Sequence, residues 1–364
     1  MEGQTHKISF PGDFIRDFPL SGVTTVRLGG KAKYFRVCED TEDIKACLSI
    51  SKEKSVPLYV ISGGSNVIFP DEGFEGIVIK IASKGTEFEE AGNGLTRIRC
   101  SAGEDWDRFV KMCVDKGLAG IECLSGIPGS AGSTPIQNVG AYGQEVKDTI
   151  ESVKAIDRET MEEVSFSNEE CGFGYRQSRF KSEDKDRYII TEVTFLLRND
   201  GEPELKYPEL KKQIEESTDL DSLPPGSGKL NAVRDSVIGI RRRKSMVIDG
   251  NDENSVSCGS FFMNPVLEGE DFEKFKAACE NEGLIFPLYD SQGGVKIPAA
   301  WLIENAGFRK GYRKGGAGIS GNHTLALVNY SGTAKELLAL AEEIKEGVKK
   351  KFGITLYNEP VIIK

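Results

Sequence analysis

Histidine is nearly absent from this sequence: among 364 residues there are two, His6 and His323. That excludes polyhistidine metal centres, and it leaves any Ser-His-Asp triad a choice of two bases, neither in a triad-like context. No apolar run approaches the ~18 residues that a membrane helix needs, and the opening MEGQTHKISF lacks the apolar core of a signal peptide. Cysteine occurs at 38, 47, 100, 113, 123, 171, 258 and 279, but never as C-x-x-C, which argues against zinc ribbons and thioredoxin-type centres. These thiols are expected to be reduced and to pack as small core hydrophobes. A basic excess is also lacking. With 47 Lys+Arg against 57 Asp+Glu the net charge is −10, which disfavours bulk nucleic-acid or anionic-membrane binding. The expectation is a cytoplasmic chain with no metal, no nucleic-acid partner and no membrane anchor.

What is present is the makeup of a globular protein, 38% apolar and 29% charged, long enough for two or three domains. Short apolar runs at 57–61 (PLYVI) and 77–81 (IVIKI) and the alternating 95–100 (LTRIRC) predict strands. Trp106, Phe109, Val110, Cys113 and Val114 recur on one helical face, with Gly117 placed to end the helix. A hairpin is predicted from Val153 to Phe166 and a longer strand over YIITEVTFLL (188–197). The polar, Pro/Gly-rich stretch 217–229 reads as a linker dividing the chain. Helices are then expected at 271–282 before Gly283, at 297–306 before Gly307, and after Thr333 as N-cap with Ala334, Leu337, Leu338, Ala341 and Val348 inward. The tail 354–363 reads as strand. The class is mixed α and β.

Chemistry concentrates in a few segments. CLSGIPGSAGSTPIQNVGAYGQ (123–144) carries no formal charge yet is too rich in Gly, Ser, Pro and amides for a core strand. Its glycines would let backbone N–H groups approach phosphate oxygens, but its spacing is neither a Rossmann fingerprint nor, at GSGKL (226–230), a Walker A loop. Ligand contact and a long irregular surface loop both remain open. The turn Gly63-Gly64-Ser65-Asn66 after a strand has the same two readings. Arg241, Arg242, Arg243 and Lys244 form a basic cluster that reads as a solvated patch or as a clamp for a pyrophosphate or carboxylate. Ser260, in CGSFFMNP, has no neighbouring base and suits a proton donor better than a nucleophile. Glu359, between apolar residues, is half of a structural ion pair or a site residue.

Taken in order, TTVRLGGKAKYF (24–35), ISGGSNVIF (61–69), SGIPGSAGSTPIQNVGAYG (125–143), YRQSRFK (175–181), GSFFMNP (259–265), WLIENAGF (301–308) and Glu359 resemble the UDP-N-acetylenolpyruvoylglucosamine reductase family. The resemblance runs from about residue 20 to the C-terminus. It implies an α+β fold: a two-subdomain FAD-binding module of the vanillyl-alcohol-oxidase (PCMH) type plus a C-terminal α+β substrate-binding domain. The expected boundaries are 1–85 and 86–230 for the two FAD-binding subdomains and 231–351 for the substrate domain, with 352–364 returning to the first. FAD would be tightly bound, its diphosphate lined by Gly63, Gly64, Ser65, Asn66, Ile127, Pro128, Gly129, Ser133, Gln137 and Gly140.

The resemblance also implies a reaction. NADPH gives a hydride to the flavin, which passes it to the enolpyruvyl ether of UDP-N-acetylglucosamine, making UDP-N-acetylmuramate for peptidoglycan, and so serving cell shape and division. Arg176 and Glu359 would stabilise the enolate, and Ser260 would protonate it. Tyr175, Arg241, Lys244, Asn264 and Lys296 match contacts to the sugar nucleotide, and Tyr207 resembles the lid tyrosine of one family subtype. The chain is expected to act as a monomer. The alternatives are another FAD oxidoreductase of this fold and a non-catalytic UDP-sugar binder. Four positions depart from the family's usual residues: Ser62 for Gly, Gln177 for Asp, Met263 for Lys, and Pro360, which has no N–H for a strand, for Val.

Overall fold

Strands Leu58–Ile61 and Phe74–Ile81 pair in parallel, with Val60 opposite Ile79, as their continuous apolar character requires of doubly covered strands. They belong to a four-stranded sheet completed by Lys31–Cys38 and, antiparallel at one edge, Ile15–Pro19. This computed structural model describes residues 13–291 and 293–364, so His6 lies outside the described residues. The parallel crossover passes through helix α1 (Thr41–Lys54), capped by the Asp40 carboxylate accepting from Asp43 N at 2.8 Å. The described residues separate into two compact units: 13–19, 31–63 and 74–240 in the first, and 20–30, 64–73 and those from 241 on in the second.

The first unit adds a five-stranded antiparallel sheet in which Ile150–Asp157 pairs with both Glu163–Ser167 and Tyr188–Arg198. Here the predicted hairpin and long strand are found. Helix α2 (Trp106–Asp115) buries the five predicted apolar residues, and the chain leaves it through Gly117 at φ +74°. One core spans both sheets and includes Ile77, Ile98, Trp106, Phe109, Val193 and Phe195. Helices α3 (Pro208–Ser217) and α4 (Ser227–Arg243) form a smaller cluster in which Leu210, Ile214, Val233, Val237 and Ile240 pack with Cys123. The 217–229 stretch expected to divide the chain lies inside this unit. Its Gly226 backbone sits so close to Gly201 that a Cβ there would lie 2.1 Å from Gly226 Cα.

The second unit holds helices α5 (Gly269–Asn281), α6 (Ala299–Asn305) and α7 (Ala334–Phe352). A four-stranded sheet runs Ser257–Ser260, Ala326–Asn329, Ala317–Ile319 and Arg313–Lys314. Thr333 and Glu336 form a reciprocal capping box at the start of α7, and Gly353 at φ +73° ends it. Ala334, Leu337, Ala341 and Val348 are buried as expected, Leu338 is partly buried against the same core, and Leu340 and Ile344 complete the face. The tail is strand only at Val361–Ile362, which pairs in parallel with Val67–Ile68.

All eight cysteines are free and buried; burial pushes the Cys171 and Cys258 thiols up to about 12. Among the described residues, no helix is long and apolar enough to cross a membrane.

Candidate functional site

The uncharged segment 123–144 is not a surface loop. Residues 121–126 are buried, as are Ser130, Ala131, Gly132, Thr134, Pro135 and Asn138. The half-exposed positions include Ile127, Pro128, Gly129, Ser133, Gln137 and Gly140, all six that the motif match assigns to the cofactor. Burial is possible because backbone groups of the segment find partners both within it and on the preceding residues 102–107. It folds through 3-10 turns at Glu122–Leu124 and Ala131–Ser133 and closes in a hairpin pairing Gly140–Ala141 with Gln144–Glu145. Gln144 bridges its two ends, accepting from Cys123 N and donating to Glu122 Oε1, both at 2.8 Å.

Small residues let this segment meet the turn after Leu58–Ile61. A Cβ on Gly63 would lie 2.6 Å from Gly129 Cα, so the two glycine backbones lie in direct contact. Next to them the Ser62 and Ser130 hydroxyls hydrogen-bond to each other, a use for the serine that replaces the family's glycine. Ala131 N and Gly132 N donate to Glu104 O and Ala102 O, each at 2.9 Å. Asp107 accepts from Gly126 N and is held by Arg234 at 2.6 and 2.8 Å, so its charge is paired.

Arg176 sits at the tip of a two-residue hairpin. Gly174 and Gln177 exchange backbone hydrogen bonds at 3.0 and 3.2 Å around Tyr175 and Arg176. Arg176 has φ +53°, a left-handed conformation that costs a non-glycine residue on the order of 1 kcal/mol. Several bonds hold it there. Its Nη2 donates to Gly140 O at 2.8 Å, its own carbonyl accepts from Lys181 Nζ at 3.1 Å, and its guanidinium lies 5.5 Å from the Tyr175 ring centroid. Ser178 Oγ donates to Ile136 O at 2.6 Å. Asn138, which the motif reading passed over, donates from Nδ2 to Gly174 O and Glu145 Oε2 at 2.9 and 3.0 Å and accepts from Lys147 N at 3.1 Å. Its signal lay in the sequence: Asn tolerates positive φ, and Asn138 has φ +46°.

Tyr207 precedes α3 and is 38% exposed, with its ring edge-on to Tyr142 at 5.4 Å between centroids. Gly143 permits this approach, since a Cβ there would lie 2.9 Å from Lys206 Cβ. Tyr207 is thus attached to the end of the glycine-rich segment in the same unit as Arg176 and Gly63.

The second unit carries the other predicted residues. Ser260 ends a strand and pairs with Ala326 after a bulge. The chain then runs extended against the tail: Glu359 N donates to Phe261 O at 2.8 Å and Met263 N donates to Tyr357 O at 3.0 Å. Ser260 and Glu359 are therefore brought together by backbone pairing. Pro360 does not break it. Val361 N donates to Asn66 O at 2.9 Å, so Pro360 sits where the tail changes partners, and both flanking bonds form. Asn66 Nδ2 also donates to Glu359 O at 3.3 Å, tying the Gly64-Ser65-Asn66 turn to the tail.

Asn264 accepts from Ala299 N at 2.8 Å, and Lys296 pairs with Val266 in an adjacent ladder. Arg241 is buried, 7% exposed, with Nη2 donating to Met246 O at 2.8 Å, while Arg242 and Arg243 are exposed and Lys244 half-buried. The basic cluster thus divides by burial, with Arg241 inside, Lys244 between, and Arg242 and Arg243 at the surface.

Two family descriptions match the chain. "UDP-N-acetylenolpyruvoylglucosamine reductase, C-terminal domain" matches residues 251–363, and "FAD binding domain" matches residues 32–164. The reductase of that name from Thermobifida fusca is 45% identical, covering 96% of this chain and 98% of the relative. The one from Streptomyces coelicolor is 43% identical over 97% and 91% of the two chains. Among solved structures, the reductase of that name from Thermus caldophilus superposes with a TM-score of 0.64, at 23% identity, over 96% of this chain and 98% of its own. Its likeness confirms the fold.

Proposed function

This chain belongs to the UDP-N-acetylenolpyruvoylglucosamine reductase family, and on that premise we propose that it reduces the enolpyruvyl ether of UDP-N-acetylglucosamine to UDP-N-acetylmuramate with NADPH, in the cytoplasm, for peptidoglycan synthesis. It is an oxidoreductase with an FAD-binding domain. The residues fit that cofactor. At Gly63 and Gly129 the backbones touch where any Cβ would intrude, the half-exposed side chains around them are small or uncharged, and the nearby Asp107 is paired with Arg234. In this reading 1–85 and 86–230 supply the cofactor contacts, including Gly64, Ser65, Asn66, Ile127, Pro128, Ser133, Gln137 and Gly140, and 231–351 supplies the substrate domain. FAD, held by these residues, would supply the redox carrier for hydride between NADPH and the terminal methylene carbon.

The protein's own side chains handle the charge and the proton. As the methylene carbon gains hydride, negative charge develops on its neighbour and spreads into the carboxylate. The Arg176 guanidinium opposes that charge, with its plane set beforehand by Gly140 O. Glu359 helps to position and polarise the same carboxylate. Ser260 Oγ then delivers the proton: a hydroxyl is a weak acid, but the enolate is a strong enough base to take it. Tyr175, Arg241, Lys244, Asn264 and Lys296 hold the sugar nucleotide, and Tyr207 covers its diphosphate, keeping water from the enolate.

The observation that carries this reading is the strained Arg176 hairpin bonded to an uncharged, glycine-rich loop. An anaerobic absorbance titration tests it. Bleaching of bound flavin by NADPH and its return on adding the enolpyruvyl sugar nucleotide support the proposal. Bleaching without return assigns another oxidant, and binding of UDP-sugar without bleaching leaves a non-catalytic binder.

A further inference from the structure

Arg176 holds a backbone conformation that favours glycine, on a hairpin of two residues, and such a position persists only where its surroundings over-determine it. The bonds made by Arg176 itself cannot be the whole cause, because they presuppose that the hairpin already stands beside the glycine-rich loop. Ser178 Oγ, donating to Ile136 O, holds the chain just after the hairpin to that loop, and Asn138 holds the first residue of the hairpin itself. Asn138 is fully buried, and its single amide nitrogen reaches both Gly174 O, the first residue of the hairpin, and Glu145 Oε2, on the closing strand of the loop. Its carbonyl oxygen accepts from Lys147 N, which fixes the orientation of the amide and therefore the direction of both donated bonds. The Glu145 carboxylate is in turn held by Lys147 Nζ at 2.7 Å.

We propose that Asn138 is the positioning residue for Arg176, acting by clamping the Gly174 carbonyl to the Gly140–Glu145 hairpin. This rests on the role assigned above to Arg176. Asn138 touches no reacting atom. It sets where the guanidinium stands. Gly140 O, the acceptor for Arg176 Nη2, lies on the same hairpin as Glu145, so both ends of the arginine are referred to one element. Asn is suited to the position for two reasons. It tolerates φ +46° better than branched or aromatic residues, and only a carboxamide offers donors and an acceptor within one planar group.

Asn138→Asp is the test, because it preserves shape and backbone tolerance while removing both donated bonds. In the variant holoenzyme FAD content and flavin reduction by NADPH remain at wild-type level. The limiting rate of reoxidation by the enolpyruvyl sugar nucleotide falls by roughly ten- to a hundred-fold, while its half-saturating concentration moves much less. A second readout does not depend on turnover: amide hydrogen exchange across residues 174–177 becomes faster in the variant. Wild-type exchange in that hairpin, or a wild-type limiting rate, overturns the positioning role. Equal loss in both half-reactions together with loss of FAD overturns it in favour of a purely structural role. Wild-type enzyme that is never reoxidised by the sugar nucleotide contradicts the functional reading instead, and the exchange result still decides the clamp. Asn138→Gly, which keeps the positive φ and removes the amide, carries the same measurements if the aspartate variant does not fold.

Discussion

The backbone N–H of Glu359 donates to the carbonyl of Phe261 at 2.8 Å, and this ladder bond sets the tail backbone at Glu359 beside the strand end that carries Ser260. Residues far apart in the chain thereby become neighbours through backbone pairing. Asn66 reinforces the arrangement, donating to Glu359 O and accepting from Val361 N.

Ser260→Ala separates the two halves of the proposed reaction. Flavin reduction by NADPH stays intact, whereas reoxidation by the enolpyruvyl sugar nucleotide falls by about two to four orders of magnitude, the range of a lost general acid. Rapid-mixing absorbance on the anaerobic enzyme reads both steps. An equal loss in both steps would remove Ser260 from the donor role.

Arg176→Lys keeps the charge and loses the planar fork that Gly140 O orients. Reoxidation slows by roughly a hundred-fold, in the range seen when one oriented donor to a developing oxyanion is removed. A lysine variant turning over at the wild-type rate moves the enolate-stabilising role to another residue.

Gly63→Ala puts a methyl group 2.6 Å from Gly129 Cα, backbone that no rotamer change can clear. The expected result is reduced FAD occupancy and a destabilisation of roughly 1–3 kcal/mol. Flavin-to-protein absorbance and thermal melting measure both. Full occupancy at the wild-type melting temperature would show that the two glycine-rich turns are not packed as described.

Glu151 accepts from Arg97 Nε and Nη2 at 2.6 and 2.7 Å, and that hydrogen bond holds its carboxyl below the ordinary 4.5. A carboxyl depressed in the folded state contributes stability that is present above pH 4.5 and is lost as pH falls through the lower folded value. Glu151→Gln therefore lowers stability near neutrality by less than about 1 kcal/mol for so exposed a pair, read as a lower melting temperature. The difference from wild type shrinks as pH falls below 4.5 and through the lower folded value. A difference that grows with acid contradicts the pairing.

Elements with a strong period were legible in the sequence, and so were residues whose chemistry is local. The face of α2 and the capping of α7 by Thr333 follow from spacing and side-chain type. The glycine-rich segment was legible as unusual but not as buried, because its burial depends on partners distant in sequence: Gln144 for Cys123 N, and Glu104 O and Ala102 O for Ala131 N and Gly132 N. The Pro/Gly-rich stretch at 217–229 misled for the opposite reason. Turn residues mark a change of direction, and here the turn delivers Val233, Val237 and Ile240 back onto the first unit. Pro360 looked disruptive because its missing N–H is visible in sequence, whereas the change of strand partner that makes it harmless is not.

The central claim is that the enol ether is reduced, and identification of the product tests it most directly. Purified holoenzyme is given NADPH and the enolpyruvyl sugar nucleotide without oxygen, and the nucleotide pool is analysed by mass spectrometry. The account predicts a UDP-linked product heavier than the substrate by two hydrogens, formed one for one with NADPH consumed. Substrate recovered unchanged while NADPH is oxidised would contradict it.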